Sequence, residues 1–405
     1  MQRRQILQGG AIAAMGAWGG YFPFATTADE ARATPSFPLK SLEPDAKRGA
    51  SKAVVVGDVA LAHTEQVFTD ATDGAACFRS LVKQIDERLA IVGAMSADAV
   101  RFHFYVADEG IVAEIEQALA AHYSDDYRPA ATFVTGQLAE PGARAAVDCV
   151  AAVRSNPPNS RSLSRPGVGV LPPGGRLYIS GDAKPVESSS GSAALRSATT
   201  ATLKSLENTL RFAGLSRADV VHVKSFVTPI GEVDSARTAI VEFFGDQPPP
   251  MSFVEWHSKS LPIEIELIAA IPADRVGEAK ARVEYLTPPG MTASPVFSRA
   301  ARVSKGPLIY TSGIYGDSAS DTPGRIRSIL GEVRRLVALG GGSMTQLVKA
   351  TYYVSDDASS VELGKIRPEY YRPDSPPAAS KAATTGVGKQ GHQIVVDVIA
   401  AAEQS

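Results

Sequence analysis

The sequence predicts an α+β protein in which one β-β-α-β-α-β-β unit is written three times. A recurring phrase carries this reading. Pro129-Ala-Ala-Thr132 leads into Val147-Asp-Cys-Val-Ala151, Pro249-Pro-Met-Ser252 into Ile263-Glu-Ile-Glu-Leu-Ile-Ala269, and Pro377-Ala-Ala-Ser380 into Ile394-Val-Val-Asp-Val-Ile-Ala400. The period, roughly 110 to 130 residues, is that of a supersecondary unit rather than a short motif. The length of 405 residues also suits several cores better than one.

The middle copy is the clearest. Arg176-Leu-Tyr-Ile-Ser-Gly181 alternates and ends at glycine, so it reads as the second strand of a hairpin closed by Pro172-Pro-Gly-Gly175. Leu195, Ala198, Leu203, Leu206 and Leu210 share one face of a helix from Ser192 to Phe212, and Gly214 stops it. A strand from Asp219 to Thr228 follows, then a helix from Val233 to Phe244, then strands Ser252 to Trp256 and Ile263 to Ile271. The third copy repeats this order with Pro307-Leu-Ile-Tyr-Thr-Ser-Gly313, a helix Arg325 to Leu339 stopped by Gly340-Gly-Gly342, a strand Gln346 to Ser355 and a helix ending at Tyr371. The first copy is more worn. It reads as a hairpin of Ala53 to Asp58 and Ala60 to Phe68, a helix Ala75 to Val92, a strand Val100 to Val106 and a helix Ile111 to Tyr123. Stretches rich in Pro, Ser and Gly at 154–166 and 272–294 read as linkers.

The hydrophobic share of 44%, the charged share of 21% and a net charge of −2 are those of a soluble globular protein, and give no electrostatic reason to expect nucleic acid or an anionic membrane as partner. Residues 1–33 read as an export signal of the twin-arginine type: Arg3-Arg4, an apolar run broken by glycines to Phe24, and Ala31-Arg-Ala33 or Ala25-Thr-Thr-Ala28 as cleavage sites. That reading places the mature protein in the periplasm or otherwise outside, with no stable membrane anchor; an uncleaved anchor is the competing reading. Cys77 and Cys149 are either a disulfide or two small buried side chains. The six histidines are scattered, so neither a metal site nor a cofactor is expected.

Tyr-Ile-Ser-Gly181, a helix ending Ala-Gly-Leu-Ser216, Asp-Val-Val-His-Val-Lys224, Glu-Phe-Phe244, the Pro-x-x-Ser turn and Ile-Glu-Ile-Glu266 together resemble the RidA/YjgF family of reactive-intermediate deaminases. The resemblance spans 164–272 and 295–401, with a degenerate copy at 51–153. It implies the chorismate mutase-like fold, helices outside, sheets about a central axis, and small-molecule pockets in the clefts between units. Three copies in one chain then imply an intramolecular pseudo-trimer, a monomer whose units associate at high effective concentration.

In deaminating members of that family an arginine at the third position of Pro-Ala-Arg-Ser clamps a substrate carboxylate, a task for which a planar fork is well suited. Ala131, Met251 and Ala379 stand there in this chain. The glutamate that the resemblance implies positions water is matched by Glu264, whereas the other copies have Ala146 and Val395. Glu264 is therefore the candidate catalytic residue. Ser180, Gly181, Ser312 and Gly313 are candidate cleft-lining residues at strand ends, where glycine permits close approach. Met251, Phe253 and Tyr315 are candidate cleft walls. Arg237 and Lys381 are the leading candidates to replace the missing cation, with Arg101 and Lys349 behind them. Each charged or aromatic candidate has an ordinary alternative, as a surface charge or a core side chain. Two functional readings follow from the resemblance: a divergent imine or enamine deaminase, and a binding protein that keeps the cleft without the chemistry.

Overall fold

The computed structural model describes residue 37 and residues 39–153, 163–185, 191–275, 281–317 and 320–403; the export signal read at 1–33 lies outside them. The first segment runs β1 (Leu39–Asp45), β2 (Ala50–Val56), β3 (Leu61–Thr64), β4 (Val67–Thr69), α1 (Gly74–Ala90), β5 (Ala99–Val106), α2 (Val112–His122), β6 (Ala130–Thr135) and β7 (Ala145–Ala152). The second runs β8 (Leu163–Arg165), β9 (Val168–Leu171), β10 (Arg176–Asp182), α3 (Gly191–Phe212), β11 (Val220–Val227), α4 (Val233–Phe244), β12 (Met251–Glu255) and β13 (Ile263–Ala270). The third runs β14 (Val283–Leu286), β15 (Ala300–Val303), β16 (Leu308–Thr311), α5 (Thr322–Leu339), β17 (Gly342–Val354), α6 (Asp357–Ile366), β18 (Ala378–Ala383) and β19 (Ile394–Ala402).

Local chemistry sets the helix limits. Asp73 caps α1 by accepting from Ala76 N at 2.7 Å, and Asp321 caps α5 by accepting from Gly324 N at 2.8 Å. Beyond α3, Gly214 takes φ +76°, and beyond α5, Gly341 takes φ +85°, both in the left-handed region that glycine enters freely. The central strands β5, β7, β11 and β19 are buried on both faces. In β5, Phe102 and Phe104 pack with Leu81, Ile85 and Ile115 of the covering helices, while Tyr105 on the opposite face joins Phe226 and Tyr353 from the other two segments.

The sheet pairing corrects the sequence reading. β9 and β10 do not form a hairpin: β9 pairs with β3, while β10 pairs with β13 and β15. Likewise β2 pairs with β1 and β16, not with β3. Alternation identifies a strand but not its partner, and here the four-residue turns carry the chain from one sheet into the next. Strands also form at Leu163–Arg165 and Val283–Leu286, inside stretches read as linkers, because each supplies an edge to such a pair.

Three six-strand runs of one order result: β6-β5-β7-β3-β9-β8, β12-β11-β13-β10-β15-β14 and β18-β17-β19-β16-β2-β1. In each run the last two strands come from the next segment, and the first segment's β1–β2 pair completes the third. The exchange thus closes on itself. Ile309↔Val55 and Tyr310↔Val54 are in register at the closing pair. A single parallel pairing, Ser51↔Ala130, joins the first and third runs into one continuous sheet.

The seams repeat one device. Ser312 Oγ accepts from Ala131 N at 2.8 Å and donates to Ser51 O at 2.5 Å, so one hydroxyl of the third segment holds both β6 and β2 of the first. Ser180 Oγ does the same between the second and third, accepting from Ala379 N at 2.8 Å and donating to Ser298 O. The first-to-second seam uses Gln66 instead: its backbone N–H donates to Met251 O at 3.0 Å and its side-chain Oε1 accepts from Phe253 N at 3.1 Å. Replacing Ser312 with alanine leaves a buried donor and a buried acceptor unmet, so urea unfolding should show a loss of about 1–3 kcal/mol. The exposed control Ser343→Ala should change little, and equal stability of the two variants would show that the hydroxyl is dispensable.

Candidate functional site

Glu264 stands on β13 with its carboxyl directly over Gly181. A Cβ built on Gly181 would lie 2.0 Å from Glu264 Oε1, so any larger residue would push the carboxyl aside. β18 of the third segment faces this pair: Gly181 N donates to Ser380 Oγ at 3.2 Å, and Ser380 Oγ donates to Glu266 Oε2 at 2.5 Å. Lys381, the next residue, is half-buried and donates to Ser360 Oγ at 2.8 Å. Burial pushes the Glu264 carboxyl up to about 8; the charge of Glu266 adds to this, and Ser380 and Lys349 oppose it. At neutral pH the group is therefore mostly a neutral acid that can donate a proton. Burial also pulls Lys381 below the usual lysine value, aided by Arg367 and opposed by Glu264. Glu264, Ser180, Gly181 and Lys381 are thus brought to one seam, between the second and third segments.

Residues 162–271, the second segment, match the family model described as Endoribonuclease L-PSP. This match makes the second segment similar to the RidA/YjgF family. Solved structures similar to it include a YjgF-family protein from Neisseria meningitidis, at 15% identity over 30% of this chain and 97% of that one with a TM-score of 0.23. A YjgF-family protein from Mycobacterium tuberculosis is similar at 19% identity over 23% and 78% with a TM-score of 0.22, and RidA from an Antarctic Psychrobacter at 15% over 23% and 80% with a TM-score of 0.22. No curated protein matches the chain.

The other candidates lie elsewhere in the fold. Met251 is level with Val223 on β11, and Glu264 is level with Phe226. Three residues and two strand spacings separate them, roughly 10 Å along the strands and roughly 10 Å across. Met251 and the buried Phe253 belong instead to the Gln66 seam. Arg237 stacks over the Phe253 ring at 4.9 Å and pairs with Asp234 at 3.4 Å, so its charge serves that seam and not Glu264. Ser312, Gly313 and Tyr315 lie at the third-to-first seam, where Val395 holds the place that Glu264 has in the second segment. A Cβ on Gly313 would meet Val395 Cγ2 at 2.7 Å.

Arg101 and Lys349 are inside, not at a pocket edge. Arg101 pairs with Asp397 at 3.0 Å and Lys349 with Glu266 at 2.6 Å, each a cation of one segment on an acid of the preceding one. His103 bridges Asp148 and Asp397 at 3.2 Å each. Asp148, Glu266 and Asp397 occupy equivalent positions, one on each long strand. Burial alone would raise all three. The His103 hydrogen bond at Asp148, Lys349 at Glu266 and Arg101 at Asp397 outweigh it and hold them below the usual carboxylate range. The remaining cation, Lys224, donates to Tyr353 Oη at 2.7 Å and lies 5.4–5.9 Å from the rings of Tyr105, Phe226 and Tyr353, one from each segment. Burial pulls its value down. Burial likewise pulls His222 down to about 4, against the charge of Asp148, so this histidine is neutral at pH 7. Arg101, Lys349 and Lys224 then balance the three acids.

Cys77 and Cys149 are both buried free thiols, as the second sequence alternative has it. Among the described residues, no cluster of three or more His, Cys, Asp or Glu is placed to hold a metal ion.

Lys349→Met strands the buried Glu266 carboxylate, and chemical unfolding should show a loss of about 3–5 kcal/mol. The double variant Lys349→Met with Glu266→Leu should recover most of that loss. Additive losses in the double variant would show that the two charges do not depend on each other.

Proposed function

We propose that this is an exported protein of three RidA-like units, at 51–153, 164–272 and 295–401, that acts as a single-chain pseudo-trimer. It takes a small organic molecule at the seams between units and hydrolyses an imine or enamine at the Glu264 seam. One observation carries the reading: a half-buried neutral acid, Glu264, lies against a glycine backbone at a seam that also holds the Lys381 cation.

The chemistry follows from the protonation state. The Glu264 carboxyl donates its proton to the imine nitrogen as water adds to the imine carbon. The resulting carboxylate accepts a proton from that water, leaving a neutral carbinolamine. When the carbon–nitrogen bond breaks, Glu264 returns the proton to the departing amine and takes the hydroxyl proton as the carbonyl forms, so ammonia and a keto product leave and the acid is restored. Lys381 supplies positive charge for a substrate carboxylate in place of the arginine absent at Ala379. As a point charge on a flexible stem it orients that group less tightly than a bidentate fork does.

A second reading, binding without turnover, is favoured at the third-to-first seam. Val395 offers no proton there.

The two readings separate in one assay. With 2-aminoacrylate generated enzymatically, the full chain should accelerate keto-acid release, and Glu264→Gln should lower the rate on the order of 100-fold, the usual weight of a positioned general acid. Because the protonated form is the active one, the wild-type rate should fall as pH rises through about 8. Unchanged turnover in Glu264→Gln removes the acid from the mechanism; no acceleration by the wild type leaves the binding reading.

A further inference from the structure

Next to the three central acids, strands of all three segments face one another in two further levels. His63, Tyr178 and Tyr310 hold equivalent places in the first level, opposite Val150, Ile268 and Ile399. Side chains from different segments meet there. The His63 and His222 ring centroids are 5.7 Å apart, the Tyr178 and Tyr310 hydroxyls 3.5 Å apart, and the Arg101 guanidinium lies 5.2 Å from the Tyr310 ring centroid. Leu61, Arg176 and Leu308 hold equivalent places in the second level, opposite Ala152, Ala270 and Ala401. Two segments thus supply a leucine and the other an arginine that is only 1% exposed.

Four buried nitrogens in these levels have no hydrogen-bond partner among the described residues. Arg176 donates through Nη2 to Val59 O at 2.7 Å, while its Nε and Nη1 are unmet. Arg101 Nε and His63 Nε2 are unmet as well. The charges do not balance either. Arg101 is spent on Asp397, and Arg176 has Asp58 only at 3.7 Å, beyond hydrogen-bond reach, with that carboxylate accepting from Gly174 N at 2.9 Å instead. Burial pulls the half-buried Arg282 below the usual arginine value; Asp58 opposes this and Arg176 adds to it, so two guanidiniums draw on one acid. A guanidinium keeps its proton even when buried, and an unmatched charge out of water is strongly destabilising. Burial, then His222, Arg101 and Arg176, hold His63 well below the usual histidine value, so its ring is neutral and offers one N–H without further charge.

We propose that a single halide ion is bound at the centre of the molecule beside Arg176, accepting from its Nε and Nη1, with Arg101 Nε and the His63 ring on the side towards the acids. One negative charge cancels the surplus cation, whereas a water molecule meets the donors and leaves the charge. Leu61, Leu308 and Tyr178 are fully buried around the arginine, so an anion of several atoms has to displace packed side chains. The arginine occurs at one of three equivalent positions, which sets the number of ions at one. The inference depends neither on chemistry at Glu264 nor on the seams as ligand sites.

Thermal unfolding of the full chain at constant sodium concentration, with gluconate exchanged for chloride, tests it. Raising chloride from about 1 to about 200 mM should raise the midpoint by about 3 °C or more, because an anion that binds only the folded chain stabilises it by mass action. Arg176→Leu, which installs the residue found at 61 and 308, should unfold at the same temperature in both salts, while Arg211→Leu at an exposed position should keep the shift. Crystals of the unaltered chain grown with bromide should show an anomalous scattering peak beside Arg176 Nε, a readout that stands even where Arg176→Leu does not fold. Absence of the chloride shift, an equal shift in Arg176→Leu, or a water without anomalous signal beside Arg176 would overturn the proposal.

Discussion

Each six-strand run in this protein is completed by two strands that belong to the next segment of chain. An unpaired strand edge leaves a row of amides and carbonyls unsatisfied, so no segment is finished by itself. The first-to-second and second-to-third exchanges join neighbours in sequence, but the last must bring residues 50–56 back to residues 308–311. That closing contact makes three segments into one cooperative body. The exchanges together create the seams where Glu264, and separately Arg176, meet residues of another segment.

Closure sets a second constraint at the centre. Charges taken from three segments meet out of water, and their acids can stay ionised only if cations arrive at matching positions. The acids are alike in kind from one segment to the next, as Asp148, Glu266 and Asp397, while the residues that meet them differ: Arg101, His222 and Lys349 at one level, His103, Lys224 and Thr351 at the next. A symmetric trimer would have to solve this with one residue repeated three times. A single chain can distribute unlike residues around the centre, and has done so with one arginine, two lysines and two histidines. The same freedom allows one seam to keep an acid at Glu264 and another to replace it with Val395.

Much of this was legible in the sequence, because helices and strands with strong periodicity show their own position. The helix from Ser192 to Phe212 and the strand ending at Gly181 lie where the pattern puts them. Partner choice was not legible, since Val168–Leu171 carries nothing that distinguishes β3 from β10 as its neighbour. β1 was missed because Leu-Lys-Ser-Leu-Glu-Pro-Asp is a polar edge strand with weak alternation. Within the candidate site, Glu264, Gly181 and Lys381 emerged from laying the family resemblance over the copies position by position. The surroundings of Arg176 did not, as Asp58, His63 and Arg101 belong to another segment and no local pattern links them to it. Arg101 and Lys349 looked like pocket-edge cations, yet both stand on strands rich in apolar and aromatic residues, a signal of burial that alternation alone understates.

Strand exchange between segments is the feature on which the fold and both sites rest, and the closing seam spans the longest stretch of chain. A variant carrying Val55→Cys and Ile309→Cys, with Cys77 and Cys149 replaced by alanine, should form an intramolecular disulfide on mild oxidation, because opposed residues on paired antiparallel strands hold their Cβ atoms about 4.5–5.5 Å apart. The expected result is a monomer that migrates faster on a non-reducing gel and resists heat better than its reduced form. Absence of that crosslink, with the thiol at position 55 instead crosslinking to one introduced by His63→Cys as a local hairpin would require, would contradict it.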